Sequence, residues 1–290
     1  NLARVAEAVP ITLKDRLLTL LPLWHTSGRA ALHLTFWTGS TLAFPSTGVM
    51  EDDLLSLRPT VVLGSVEHFR RLYYRLKEGY HNESSVSLFL RKVYFSWSKM
   101  VNQSSVFLET GRMALRSSSS PLHITETLLH AIFYVIGSLL RLPGDIFIGQ
   151  PRARELGRLK AILVGGQRIP PDLDDFFQTL NIAVLAGYWL SETSHMAASR
   201  QLPAPGQSAR LLSQTVGPLL RGMELKIKNA GGDDVTHIPG QRGTIFLRGP
   251  GIMAGYYKNP VRTAEVLDSN GWLNTRDRGY LKHSGELVID

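Results

Sequence analysis

Short apolar runs alternate with segments of helical periodicity along much of this chain, a pattern that predicts an α/β architecture with parallel strands. Residues 17–23 read as a strand ending at Pro22 or just beyond, and residues 59–63 as a second. An amphipathic helix follows over 66–77. Residues 161–164 form a third apolar run that enters Gly165-Gly166. A helix is expected from about Pro170, where Asp172, Asp174 and Asp175 suit the positive end of its dipole. Residues 182–185 make a fourth strand. The segment Gly187-Tyr188-Trp189-Leu190-Ser191-Glu192-Thr193 is therefore expected in the loop at its carboxyl end, where open α/β sheets bind ligands.

Two stretches break the alternation. Residues 78–157 are helical in pattern, carry the tract Ser117-Ser118-Ser119-Ser120, and read as an insertion between two sheet strands. Within it, Leu128, Leu129, Ile132, Phe133, Ile136, Leu139 and Leu140 fall at helical spacing in the uncharged run 127–140, which Arg141 and Pro143 end. That run is too short to cross a hydrocarbon core of about 30 Å. A buried core helix is favoured over a membrane-surface or acyl-tunnel helix. After Gly217 the strands shorten: residues 223–228 and Gly243–Arg248, joined by the turn Gly231-Gly232-Asp233-Asp234, suggest a hairpin or small β-barrel appended to the sheet. The expected organisation is an α/β subdomain over 1–216, with its helical insertion at about 78–157, and a small β subdomain over 217–290.

A chain of 290 residues with 43% hydrophobic and 19% charged residues can bury a sizeable core. It contains no cysteine, which excludes disulfides, thiolate zinc sites and cysteine nucleophiles and suits a reducing compartment. There is no signal peptide at Asn1, and a start without methionine suggests a fragment. The net charge of +8 includes two basic clusters, Arg70, Arg71, Arg75 and Lys77, then Arg152, Arg154, Arg158 and Lys160. Such charge favours anionic partners, although a solvated helix face is the plainer reading. No helix-turn-helix, zinc-finger or aromatic RNA-binding signature points to nucleic acid.

The motifs carry more information than the composition. Leu21-Pro22-Leu23-Trp24-His25, the Gly187–Thr193 segment, Arg248-Gly249-Pro250, Gly255-Tyr256-Tyr257 and Gly271-Trp272 followed by Thr275-Arg276-Asp277 occur in one order. Each has a bland reading, since a tyrosine after a strand is usually core and Ser-Glu-Thr is often a helix cap. Their joint order resembles the adenylate-forming (AMP-binding) superfamily, most closely its long-chain fatty acyl-CoA and acyl-carrier-protein synthetases. The resemblance implies an ATP-dependent ligase that activates a long-chain fatty acid as acyl-AMP and passes it to a pantetheine thiol. Its cofactors would be ATP, Mg²⁺ and coenzyme A, or the phosphopantetheine of an acyl carrier protein. Its partners would be the fatty acid and an acidic carrier protein, with no nucleic acid. Its place would be cytoplasmic, with peripheral membrane association left open.

On the same resemblance, Tyr188 would stack on adenine and Ser191 would hydrogen-bond the α-phosphate. Glu192 would hold the metal, a hard cation that prefers oxygen ligands. Asp277 would accept the ribose hydroxyls, Gly165 and Gly166 with Gln167 and Gly187 would border the purine, and His25, at the end of the first strand, would sit near the acyl site. The catalytic group is thus Glu192, Ser191 and His25. Several positions depart from the family pattern. Trp189 and Arg276 stand where glycine is usual, Gln167 and Arg168 replace small residues of the purine loop, and Val164 replaces a serine. Bulk at such places would crowd a nucleotide or force a loop to move, so a non-catalytic acyl- or nucleotide-binding module is the rival reading. The family's phosphate loop is expected before Asn1 and its mobile lid domain, with a reactive lysine, after Asp290. Gly249 to Gly255 imitates a dinucleotide fingerprint with one residue too many and no helical pattern behind it, and Ser96-x-x-Lys99 and the pair His123 and His130 lack their companion residues.

Overall fold

The computed structural model describes residues 2–9, 11–46, 48–81, 156–180, 182–201 and 214–290, with isolated positions between 82 and 155. Its centre is a six-stranded sheet. Helix α1 (Leu2–Ala8) precedes β1 (Arg16–Thr19), and α2 (Thr26–Thr38) and β2 (Thr41–Ala43) follow. Then come α3 (Met50–Leu57), β3 (Val61–Ser65), α4 (Val66–His81), β4 (Ala161–Gly165), α5 (Pro171–Thr179), β5 (Ala183–Leu190) and β6 (His195–Ser199). The order across the sheet is β2-β1-β3-β4-β5-β6, parallel throughout except for the antiparallel pair β5 and β6.

The apolar strands are buried on both faces, which is why they read as continuous runs and not as alternating ones. Leu17, Val61, Leu63, Leu163 and Leu185 point to one face, where they join Val5 and Ala8 of α1 and Ala31 and Leu34 of α2. Leu18, Val62, Ile162, Val164 and Val184 point to the other, against Phe69, Leu72 and Leu76 of α4 and Leu173, Phe176 and Phe177 of α5. Phe177 is fully buried, and its truncation to alanine would cost about 3–5 kcal/mol. At the amino ends of the strands Asp15 ties three chain segments together. Its carboxylate takes hydrogen bonds from Lys160 and Thr60 at 2.7 Å each and from Thr12. Burial pushes the Asp15 pKa up, but these bonds outweigh it and hold the group at about 2.

Strands β7 (Glu224–Lys228), β8 (Gly243–Arg248), β9 (Leu273–Leu281) and β10 (Leu287–Ile289) form an antiparallel sheet in the order β10-β9-β8-β7, with α6 (Pro260–Val266) between β8 and β9. Ile245, Leu247 and Leu287 share the core of α1 and α2, so the two sheets are packed together. The link between β7 and β8 is longer than a tight hairpin. Asn229 and Asp233 close a first turn, and Asp234 bridges back to Lys228 before the chain reaches Gly243.

Several expected boundaries move. The first strand ends at Thr19, because Leu20 to Trp24 turn toward α2. The second is shifted to Val61–Ser65. The fourth runs on to Leu190, so Gly187 to Leu190 lie inside a strand and not in a loop. A helix does follow Gly255, beginning at Pro260 after a short turn. The expected insertion, with its serine tract and the apolar run 127–140, falls outside the described residues apart from isolated positions. No helix among the described residues is long and apolar enough to cross a membrane.

Candidate active site

Two β-bulges build the site. In the β5–β6 pair the register slips between Tyr188 and Trp189, with Ala197 of β6 as the extra residue, which increases the local twist beside both side chains. The β8–β9 pair slips opposite Ile245, where Thr275, Arg276 and Asp277 replace a single regular step. Thr275 pins that second bulge by donating its hydroxyl to the Ile245 carbonyl at 2.8 Å and accepting the Asp277 amide at 3.2 Å. Arg276 sits at the left-handed corner with φ 65°. The spacing Thr-x-Asp therefore has a backbone cause: it projects Asp277 sideways out of the sheet.

The two bulges face each other. Tyr188 donates its phenol hydrogen to Asp277 Oδ2 at 2.5 Å, a contact across 89 positions. Burial, and then the Asp277 carboxylate, raise the Tyr188 pKa far above its ordinary value, so the phenol stays a donor. Both residues line one cavity of about 260 Å³, together with Gly166, Gln167, Gly187 and Trp189. A ligand pocket typically has about 300–1,000 Å³. This one, at about 260 Å³, lies just below that range.

A buried cation unforeseen in the sequence borders the same cavity. Arg200 is 2% exposed and pairs through Nη1 with Asp174 at 2.8 Å, while its Nε donates to the Thr215 carbonyl at 2.7 Å. Burial lowers its pKa and Asp174 opposes that shift. Asp174, read from the sequence as an acid at the start of a helix, does sit in the first turn of α5. Its second role, as the counter-ion of a residue 26 positions away, has no local signal.

Ser191, Glu192 and Thr193 form a single 3₁₀ turn at the end of β5. Thr193 secures it, its hydroxyl bonded to Leu190 and to the His195 carbonyl. Ser191 is exposed and Glu192 half-buried, and neither borders the cavity. The Glu192 carboxylate takes a hydrogen bond from Tyr256 at 2.7 Å through Oε1, and its carbonyl accepts the Met253 amide at 2.8 Å. That bond to Glu192 raises the Tyr256 pKa. The Gly255-Tyr256-Tyr257 motif thus anchors the carboxylate of a turn 64 positions earlier.

Trp189 takes the remaining space. Its indole is 7% exposed and lies over Gly165, where a Cβ would come within 2.5 Å of the ring. The room above Gly165, expected for the purine, is therefore filled by this chain's own side chain. The same indole stacks on His195, with centroids 5.0 Å apart and planes 17° from parallel. His195 is buried, and neither ring nitrogen has a hydrogen-bond partner among the described residues. Burial, and then the neighbouring His25, lower its pKa to about 4. His25 is not at the end of a strand but at the N-cap of α2, where its Nδ1 accepts the Ser27 amide at 3.1 Å. Arg276 behaves differently: it turns outward, 64% exposed, and pairs with Glu265 at 3.4 Å.

The fold and these motifs define an adenylate-forming large domain. O-succinylbenzoate coenzyme A synthetase from Bacillus subtilis, solved in complex with AMP, superposes with a TM-score of 0.62 at 21% identity, over 99% of this chain and 43% of that one. A model of the AMP-binding enzyme family matches residues 1–257, and the chain belongs to that family. Among curated relatives, the chloroplastic long-chain-fatty-acid acyl-carrier-protein ligase AEE15 of Arabidopsis thaliana is 28% identical over 305 residues, spanning 100% of this chain and 40% of the relative. Fatty acyl-CoA synthetase A of Dictyostelium discoideum is 28% identical over 281 residues, spanning 95% and 36%. The chain thus covers well under half the length of these relatives.

Proposed function

We propose that this chain forms the nucleotide-facing part of an ATP-dependent acid–thiol ligase that acts on a long-chain fatty acid. In that reaction a carboxylate oxygen attacks the α-phosphorus of ATP and expels pyrophosphate. A pantetheine thiol, of coenzyme A or an acyl carrier protein, then attacks the acyl carbon, expels AMP and gives up its proton. Two anions meet in the first step, so positioning and charge neutralisation dominate the catalysis. The observation that carries the reading is the Tyr188–Asp277 pair, which draws the two sheets together around one cavity.

The residues present fit the reactants. The cavity offers an aromatic wall at Tyr188 and a carboxylate at Asp277 for hydroxyl donors. Ser191 would meet the phosphate end from the exposed turn. Mg²⁺ is commonly held by one or two carboxylates together with substrate phosphates. Glu192 suits it, since Tyr256 occupies Oε1 and leaves Oε2 without a protein partner among the described residues. The metal would offset phosphate charge, and the protein's part is to hold Glu192 at the turn. The net charge of +8 favours an acidic carrier protein or an anionic membrane surface as a partner.

ATP–pyrophosphate exchange with palmitate in the intact protein tests the proposal. Glu192→Gln is expected to lower exchange by about 10²–10³-fold, the scale for one lost electrostatic element, with palmitate affinity little changed. Unchanged exchange in a folded variant removes Glu192 from the metal role. A second reading, a binding module without adenylation, is favoured by the indole that fills the space above Gly165. Nucleotide binding without any exchange would select it.

A further inference from the structure

Arg200, the residue that follows β6, is held on three sides and open on the fourth. Its amide donates to the Ala186 carbonyl of β5 at 2.8 Å, which fixes its backbone beside the strand that carries Tyr188. In the side chain, Nε donates to the Thr215 carbonyl at 2.7 Å. Nη1 donates to Asp174, at 3.0 Å to Oδ1 and 2.8 Å to Oδ2, and reaches the Val184 carbonyl at 3.5 Å. Asp174 is fixed in turn, since Gln178 donates to its Oδ1 at 2.5 Å. Nη2 remains, and its N–H groups have no partner among the described residues. It is not one of the side-chain atoms sealed from solvent without a partner. Arg200 is only 2% exposed, and it borders the cavity of Tyr188 and Asp277. The open arm therefore faces that cavity.

An arginine buried only to neutralise Asp174 would turn its remaining donors onto carbonyls, because an unused buried donor costs free energy. Here the unused donors are left to a cavity, where a ligand can take them. A phosphate is the wrong ligand. Asp277 and Asp290 border the cavity and Asp174 lies behind Arg200, so three carboxylates stand against the guanidinium groups of Arg168 and Arg200. The Ser191-Glu192 turn, which suits the phosphate end, lies outside the cavity. A neutral acceptor meets no such repulsion, and the edge of a nucleobase is a row of them. Arg200 is anchored to Ala186, two residues or about 7 Å along β5 from Tyr188.

We propose that Arg200 is a specificity-determining residue that reads the nucleobase, its Nη2 donating to an acceptor on the edge of the purine. The presence of a nucleotide rests on the ligase reading given above, and the inference adds the residue that selects the base. Arg200 suits the task because Asp174, Thr215 and Gln178 lock the guanidinium before any ligand arrives, so little is lost in ordering it. A lysine would not serve, since it is a point charge that Asp174 would hold without a second arm to spare.

Calorimetry on the intact protein tests this with AMP and its 1-deaza, 3-deaza and 7-deaza analogues, each of which replaces one ring nitrogen by C–H. At least one analogue is expected to bind about tenfold or more weakly than AMP, because a donor in the site is then left unpaired. Two variants assign that loss to Arg200. Arg200→Lys keeps a cation for Asp174, and Arg200→Met combined with Asp174→Leu removes both charges, a replacement that buried ion pairs often tolerate. Thermal melts verify that they fold. In both, AMP is expected to weaken by about tenfold and the sensitive analogue to bind within about twofold of AMP. AMP binding with all three analogues within about twofold of it overturns the proposal. So does a loss that persists in a folded variant, since another donor then reads the base. If neither variant folds, the analogue series on the unmodified protein decides alone. Failure of AMP and of every analogue to bind the unmodified protein overturns the nucleotide reading itself, an outcome distinct from AMP binding that ignores the ring nitrogens.

Discussion

The β5–β6 slip and the bulge in β9 each place a large residue at the site, Trp189 and Arg276, and the two are accommodated in opposite ways. Trp189 is turned into the protein and lies over Gly165 and Gly187 against His195. Arg276 is turned out, at the price of a positive φ, and pairs with Glu265 at the surface. Inside a packed sheet a large side chain must be matched by missing atoms on its neighbours, because interiors are filled to crystal-like density. At a rim the solvent supplies the room. A large residue in the interior therefore alters the site, whereas one at the rim alters mainly the backbone.

The largest expected effect is a pH dependence confined to the interior bulge. His195 titrates near 4 in the folded chain and near 6.5 when unfolded. Between those values only the unfolded chain binds the proton, so acid favours unfolding. The loss is absent above pH 6.5 and complete below pH 4, where it reaches about 3 kcal/mol. His195→Phe keeps a ring against Trp189 and removes the proton site. Urea titrations of both proteins across this window are expected to give a stability difference that shifts in favour of the Phe form as the pH falls. A pH-independent difference would mean that the imidazole is not buried.

Gly165→Ala comes next, at about 2 kcal/mol, within the usual range for overpacking. The added Cβ meets ring atoms of the indole, which cannot fold aside as a chain end could. Combined with Trp189→Gly, the alanine should lose most of its cost. A double-mutant cycle with no coupling would separate the two residues. Tyr188→Phe should destabilise by about 1.5–2 kcal/mol, since it removes a hydrogen bond to a carboxylate in a half-enclosed site. A thermal melt gives the answer, and an unaltered midpoint would show that the two bulges are not held together by this bond. The smallest effect belongs to the rim. Arg276→Gly relieves the left-handed corner but gives up an exposed ion pair worth about 0–1 kcal/mol and some chain entropy. Its net effect on stability should stay within about 0.5 kcal/mol, and a shift several times larger would mean that the rim is as constrained as the interior.

Much of the frame was legible because it is encoded locally. Runs of apolar residues bounded by glycine, proline and acid revealed β3, β4, β8 and the start of α5 to within a few residues, since strand and helix periods are properties of adjacent positions. The two ends of the site were legible too, through the motifs around Tyr188 and Asp277. The expectation that both belong to one cavity agrees with their 2.5 Å contact. The motif Gly187 to Leu190 was misplaced in a loop because its partner, β6, is visible only as a short stretch that includes Met196, Ala197 and Ala198, which has no strong β-propensity. Arg200 went unnoticed because a buried arginine is defined by its counter-ion, and Asp174 lies on a separate helix.

By itself, the sequence determined the class of fold, the order of the strands along the chain and the set of residues available for chemistry, because these follow from periodicity and from motif order. Only the tertiary structure decided where Trp189 points, that Tyr256 holds Glu192, and that the His195 ring nitrogens have no hydrogen-bond partner among the described residues. The physical reason is that a bulge is a slip between two strands and a filled void is a relation among several. Neither is written in any one segment: the direction of the indole depends on glycines at 165 and 187 and a histidine at 195, brought together by two different strand pairings.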